Sequence, residues 1–285
     1  VGSEMCIRDR PPPTTPGLPV REAASASPWP APTPGEITLP SRGPVLEPRA
    51  NVPTLPFAAA AGAIVVLTAS LLLSKVLLDA LVGFEWPVVA YVVLLGLVGY
   101  GPSVAWCWFV STRWGTGRIF RDVGLLPQWS DIGWGPVLWL GAIGAQLAMG
   151  AIVLALDIPI SNNTDGVVEL QTDRTYVISL VITAVVAAPL VEEMVFRGVV
   201  LRGFNSRLPV ALALVLQALV FGAAHADPVR GLGNLGLVLV LAGVGLALGI
   251  GAQLLGRIGP AVVAHALFNG AVLLVVLTGV ADNLQ

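Results

Sequence analysis

Seven apolar stretches follow one another along this chain, at 57–82, 87–110, 136–156, 175–195, 208–226, 232–255 and 260–280. Each is near the ~20 residues a helix needs to cross a bilayer. In lipid the backbone has to satisfy its hydrogen bonds within the segment, so helices are the only structure open to such stretches. Composition agrees, with 55% hydrophobic and 11% charged residues and a mean hydropathy of +0.84. The expected fold is all-α, a polytopic transmembrane helical bundle of about seven spans in the cell membrane. A formal net charge of −2 without a Lys/Arg stripe excludes nucleic acid as a partner and leaves the lipid bilayer.

Upstream of the spans the pattern changes. Met5-Cys6-Ile7-Arg8-Asp9 resembles a translated sequencing adapter, so residues 1–10 are set aside and the true start stays open. Residues 11–56 are rich in Pro, Ala, Ser and Thr with no apolar periodicity, the composition of a disordered tail, and carry no signal-peptide pattern. Arginines gather before the first span and in one set of loops (Arg42, Arg49, Arg113, Arg118, Arg121, Arg197, Arg202, Arg207, Arg257), while the other set holds Arg174 and Arg230 among five acids. By the positive-inside rule the N-terminus is expected in the cytoplasm and the C-terminus outside. The Trp-containing stretch 111–133 reads as interfacial, lying on the membrane. Lys75 and Asp79, four apart in the first span, are expected to pair. Cys107 in an apolar run and Cys6 near the start suggest neither a disulfide framework nor a thiolate metal site.

Against this background the polar groups inside the spans stand out. Val191-Glu192-Glu193-Met194-Val195-Phe196-Arg197-Gly198 places two acids and a base within six positions of a spanning segment. An ionisable group at the centre of such a helix costs about 2.5–3.5 kcal/mol on insertion scales, so these groups face a bundle interior or a wet cavity. Glu193 and Arg197, four apart, share a face and can pair, whereas Glu192 points about 100° away. That leaves Glu192 as a free, desolvated carboxylate and a candidate proton acceptor. A solvated helix end carrying a salt bridge would produce the same spacing. Both histidines of the chain also lie in spans, His225 four residues after Phe221 and His265 four before Asn269.

The ordered set Glu192-Glu193-x-x-x-Arg197, Phe221-x-x-x-His225 and His265-x-x-x-Asn269 resembles the three motifs of the CPBP family, the type II CAAX prenyl proteases and bacteriocin-processing enzymes also called Abi. The resemblance covers about 175–280. It implies a four-helix catalytic core over 175–281, behind an N-terminal set of helices over 57–174. It further implies an intramembrane endopeptidase acting on membrane-anchored peptides, prenylated CAAX-like or bacteriocin-like. Carried over, Glu192 activates the attacking water with help from His225, and His265 and Asn269 steady the oxyanion. Glu193 and Arg197 brace the site, and Phe221 packs beneath His225. The cofactor stays open between zinc, held by Glu192, His225 and His265, and no metal. His-Glu-x-x-His is absent, and we favour a glutamate-activated water without an obligatory metal. A non-catalytic scaffold or immunity protein of the same fold, and a proton- or metal-coupled transporter, are the alternatives.

One expectation conflicts with the rest. Simple antiparallel spans put Glu192 and His265 towards one face and His225 at the opposite one. Either the fourth helix runs past Arg197 with a bend at Pro189, or the fifth is displaced, or 227–233 dips into the membrane.

Overall fold

A computed structural model of the protein describes residues 54–161, 173–227 and 230–278. The first ten residues and nearly all of the stretch read as a tail lie outside the described residues. Leu55, at the end of that stretch, is already buried in the core, so packing starts before residue 57.

Among the described residues every regular element is helical. They are α1 (Phe57–Leu81), α2 (Val88–Trp114), the single turn α3 (Ile119–Asp122), α4 (Asp131–Ala155), α5 (Arg174–Asn205), α6 (Val210–Ala223), α7 (Gly233–Leu255) and α8 (Gly259–Thr278). Prolines 56, 87 and 209 stand immediately before α1, α2 and α6, where their missing N–H costs nothing. Six helices are long and apolar enough to cross a membrane. The fifth expected span is the exception: α6 has 14 residues, about 21 Å at 1.5 Å per residue, and helical structure stops before His225.

Contacts between helix ends nevertheless alternate between two faces seven times. On the first face the Phe57 and Phe204 rings stack at 5.7 Å, Asn205 donates to Gln253 at 3.0 Å, and Arg257 pairs with Asp131 at 2.7 Å. The starts of α1, α4, α6 and α8 and the ends of α5 and α7 therefore lie together. On the second face the Ser161 N–H donates to the Gly233 carbonyl (3.1 Å) and the Gly236 N–H to that of Pro159 (3.0 Å), joining the end of α4 to the start of α7. The short α6, with the non-helical residues 224–227 after it, takes the place of one traverse.

The middle of the bundle is α5. Met194 to Leu201 are buried on every side, as expected of a helix that is apolar all round and enclosed by neighbours. Glycines let those neighbours approach: a Cβ at Gly198 would stand 2.8 Å from Val123, and one at Gly222 would run into the Val238 carbonyl.

Two expectations change. The stretch read as interfacial is partly a packed plug, since Asp122 and Val123 are buried and the Arg202 guanidinium donates to the Asp122 carbonyl. Trp129, 90% exposed, keeps the surface character. Among the described residues no ion pair joins Lys75 and Asp79; Asp79 is exposed at the end of α1, and Lys75 lines an apolar cavity.

Candidate active site

Helix α5 carries the acid pair, and its hydrogen-bond pattern is irregular on both sides of it. Ile182–Ala187 and Met194–Val200 are π-helical, flanking the α-helical turn Ala188–Glu193. The first irregularity has a cause in the sequence. The Ala188 N–H bonds to the Thr183 carbonyl five residues back, and the next donor in that register would be residue 189, a proline with no N–H. The carbonyl left over is that of Ala184, and the Asn269 side chain fills the gap, Nδ2 donating to it at 2.8 Å. Proline thus produces wider winding rather than a broken helix, and an asparagine from α8 completes the pattern.

The two glutamates have different partners. Glu193 is fully buried; its Oε1 accepts from Arg197 Nη1 at 2.6 Å and from His265 Nδ1 at 2.9 Å. Arg197 continues to the Gly245 carbonyl at 2.9 Å and lies 4.5 Å from the centre of the Phe221 ring. Glu192 faces a cavity. Its Oε1 accepts from the Tyr100 hydroxyl at 3.3 Å, and its buried Oε2 has no hydrogen-bond partner. That oxygen stands 3.9 Å from Nε2 of His225 and 3.9 Å from Nε2 of His265.

The partners of the other ring nitrogens decide the tautomers. His225 Nδ1 lies 2.9 Å from the Phe221 carbonyl, and His265 Nδ1 faces a carboxylate. Both oxygens only accept, so both Nδ1 atoms carry hydrogen, and the lone pair of a neutral ring then sits on the Nε2 that faces Glu192. Phe221 holds both rings in place, with centroid distances of 4.9 Å to His225 and 5.7 Å to His265.

Glu192, His225, His265 and Asn269 thus line one cavity of about 800 Å³, otherwise mainly apolar through residues such as Leu241, Phe268 and Val272. Glu193 and Arg197 lie buried behind it. The conflict over His225 dissolves in helix lengths. Glu192 is 13 residues before the end of α5, and His225 is two residues past the end of the 14-residue α6, which starts at that same face. Both groups therefore lie at the same depth.

Tyr100 is the site residue that motif reasoning missed. It lies on α2, far from the acid pair in sequence. Its available signal was the Tyr100-Gly101-Pro102-Ser103 island, which puts two hydroxyls three residues apart on one face of an apolar span.

Residues 174–271 match the family model described as Type II CAAX prenyl endopeptidase Rce1-like. No curated protein and no solved structure matches the chain. The matched segment runs from the first residue of α5 into α8 and contains Glu192, His225, His265 and Asn269, whereas Tyr100 lies outside it. A membrane protein of helices, the chain carries over these residues an Rce1-like type II CAAX prenyl endopeptidase domain, consistent with the CPBP protease family.

Proposed function

We propose that the protein is an intramembrane endopeptidase that cleaves membrane-anchored peptides with a water activated by Glu192. The observation that carries this is the unpartnered Glu192 Oε2, 3.9 Å from two imidazole nitrogens that are both acceptors, in a cavity of about 800 Å³. Three acceptors around one point call for a donor, and water supplies two hydrogens. One goes to Glu192 Oε2 and the other to His225 Nε2. The water oxygen then attacks the peptide carbonyl carbon as its proton passes to Glu192, the C–N bond breaks, and that proton leaves with the amine.

The Asn269 amide has one hydrogen on Ala184 and a second for the oxyanion. His265 donates from Nε2 only when its ring carries a second proton. Glu193, bonded to both Arg197 and His265, sets that ring's direction.

A zinc ion would be held by Glu192, His225 and His265. As placed they stand wider apart than zinc ligands do. Ligands at about 2.1 Å on a tetrahedral zinc lie about 3.4 Å apart, against 3.9 Å here, and among the described residues no group of three His, Cys, Asp or Glu is placed to hold a metal. The apolar walls of the cavity suit an extended, hydrophobic substrate segment, whether prenylated and CAAX-like or a bacteriocin-like precursor. The loop arginines favour a cytoplasmic N-terminus.

The test is proteolysis in nanodiscs on prenylated and unprenylated membrane-anchored peptides, with and without chelator, comparing the intact chain with Glu192→Gln. Cleavage that survives chelator and is lost in the variant is the expected result. Loss with chelator would move the three side chains into a metal shell. Full activity in a folded Glu192→Gln protein would remove Glu192 from the chemistry.

A further inference from the structure

Glu192 stands in the wall between two cavities. Besides the 800 Å³ cavity that holds both histidines and Asn269, a separate cavity of about 410 Å³ lies between α1, α2 and α5. Tyr100, Thr183, Glu192 and His225 line both. The smaller one is walled otherwise mainly by α1 and α2, including Leu71, Ser74, Leu95 and Ser103, with Val191, Val195 and Phe196 of α5 and Ala224 closing it. A third cavity, about 530 Å³, shares Leu71, Ser74, Leu95 and Ala224 with it and continues to Lys75 and Asp227.

Three buried oxygens without a hydrogen-bond partner line the 410 Å³ cavity: Ser74 Oγ, Ser103 Oγ and Glu192 Oε2. Ser103 is 3% exposed and sits one helical turn after Tyr100 on the same face of α2. Buried hydroxyls are almost always satisfied, by protein or by ordered water. A hydrocarbon chain, from lipid or substrate, has nothing to offer them. The cavity also far exceeds the ~30 Å³ that one water occupies, and it supplies the two to four polar partners a water needs.

We propose that this chamber is a water site, and that it delivers the hydrolytic water to Glu192 from the side opposite the peptide. The proposal rests on the protease reading above. A substrate segment filling the larger cavity would close that route to solvent, while the path past Lys75, Ser74 and Ser103 stays open. Ser103 and Ser74 hold water within reach of the Tyr100 hydroxyl, whose bond to Oε1 turns Oε2 towards the imidazoles. The serines are positioning residues for water and take no part in bond making.

Two measurements test this. In a background with Cys6→Ser and Cys107→Ala, Ser103→Cys in nanodiscs is treated with a small, charged methanethiosulfonate, which reacts with a hydrated thiolate. A wet chamber gives modification; a thiol that resists this reagent, whether or not an apolar maleimide reaches it, overturns the proposal. Separately, Ser103→Leu fills the chamber and Ser103→Ala leaves its volume. The expected pattern is roughly a tenfold or larger fall in kcat for Leu, a smaller fall for Ala, and KM within about twofold of the parent for both. Parent-level kcat in a folded Ser103→Leu protein would overturn the supply route even if the chamber labels. If the parent chain cleaves nothing while Ser103→Cys labels, the protease reading fails and the water site stands.

Discussion

The position of a single proline explains more of this site than any charge does. Pro189 withdraws the donor that π-helical winding would offer the Ala184 carbonyl, and Asn269 supplies it from another helix. Asn269→Ala should therefore cost about 1–3 kcal/mol for an unsatisfied buried acceptor. In a Pro189→Ala background the restored N–H can take its place, so the same substitution should cost clearly less. Equilibrium unfolding of the four proteins in detergent gives the coupling, and strict additivity would remove the link. Glu193 is the second residue of consequence, because it holds Arg197 and His265 at once. Glu193→Gln should destabilise by about 3–5 kcal/mol through the guanidinium left buried and unpaired. It should also depress cleavage in any protein that still folds, since the acceptor facing His265 Nδ1 loses its negative charge and can turn an NH2 group to the ring instead; thermal unfolding and turnover on one preparation check both.

At the scale of elements, close approach of α6 to α7 sets where His225 sits. Gly222→Ala would force a methyl group into the backbone at Val238 and should destabilise by at least about 1–3 kcal/mol, the usual cost of overpacking. Gly141 on α4 is exposed with open space around it, so Gly141→Ala should leave the unfolding midpoint unchanged or slightly raised. The connection from α2 to α3 responds to pH instead. Burial alone would push the Asp122 carboxyl up, but donors from Ser111 (2.6 Å), Thr116 (2.7 and 2.8 Å) and Arg118 (3.1 Å) outweigh it and hold it below the usual carboxylate range. A lowered folded-state pKa means stability that is present above the unfolded value of about 3.9 and is lost as pH falls through and below it. Asp122→Asn should flatten that acid limb while lowering stability at neutral pH, which unfolding midpoints measured between pH 3 and 7 would resolve.

For the whole molecule, seven alternations between two faces make a topological prediction. With the native cysteines replaced, a single cysteine at Arg113 should label from the cytoplasmic side and one at Glu85 only from outside; labelling of both from one side would break the alternation. Hydropathy alone was enough for the helical class, for six of the helices and for the membrane, because lipid leaves the backbone one way to satisfy itself. Spacing alone was enough to pair Glu193 with Arg197 and to set Glu192 apart, because four residues make about one helical turn. The depth of His225 was not legible. An apolar run of about 19 residues reads the same whether the helix crosses or stops at 14, and the stop depends on how α6 packs against α7. Nor were the tautomers, Tyr100 on Glu192, or the bond from Asn269 to Ala184 legible. Each joins atoms more than 70 positions apart or rests on the direction of one hydrogen bond, and only the packed bundle brings such partners within 3 to 4 Å of one another.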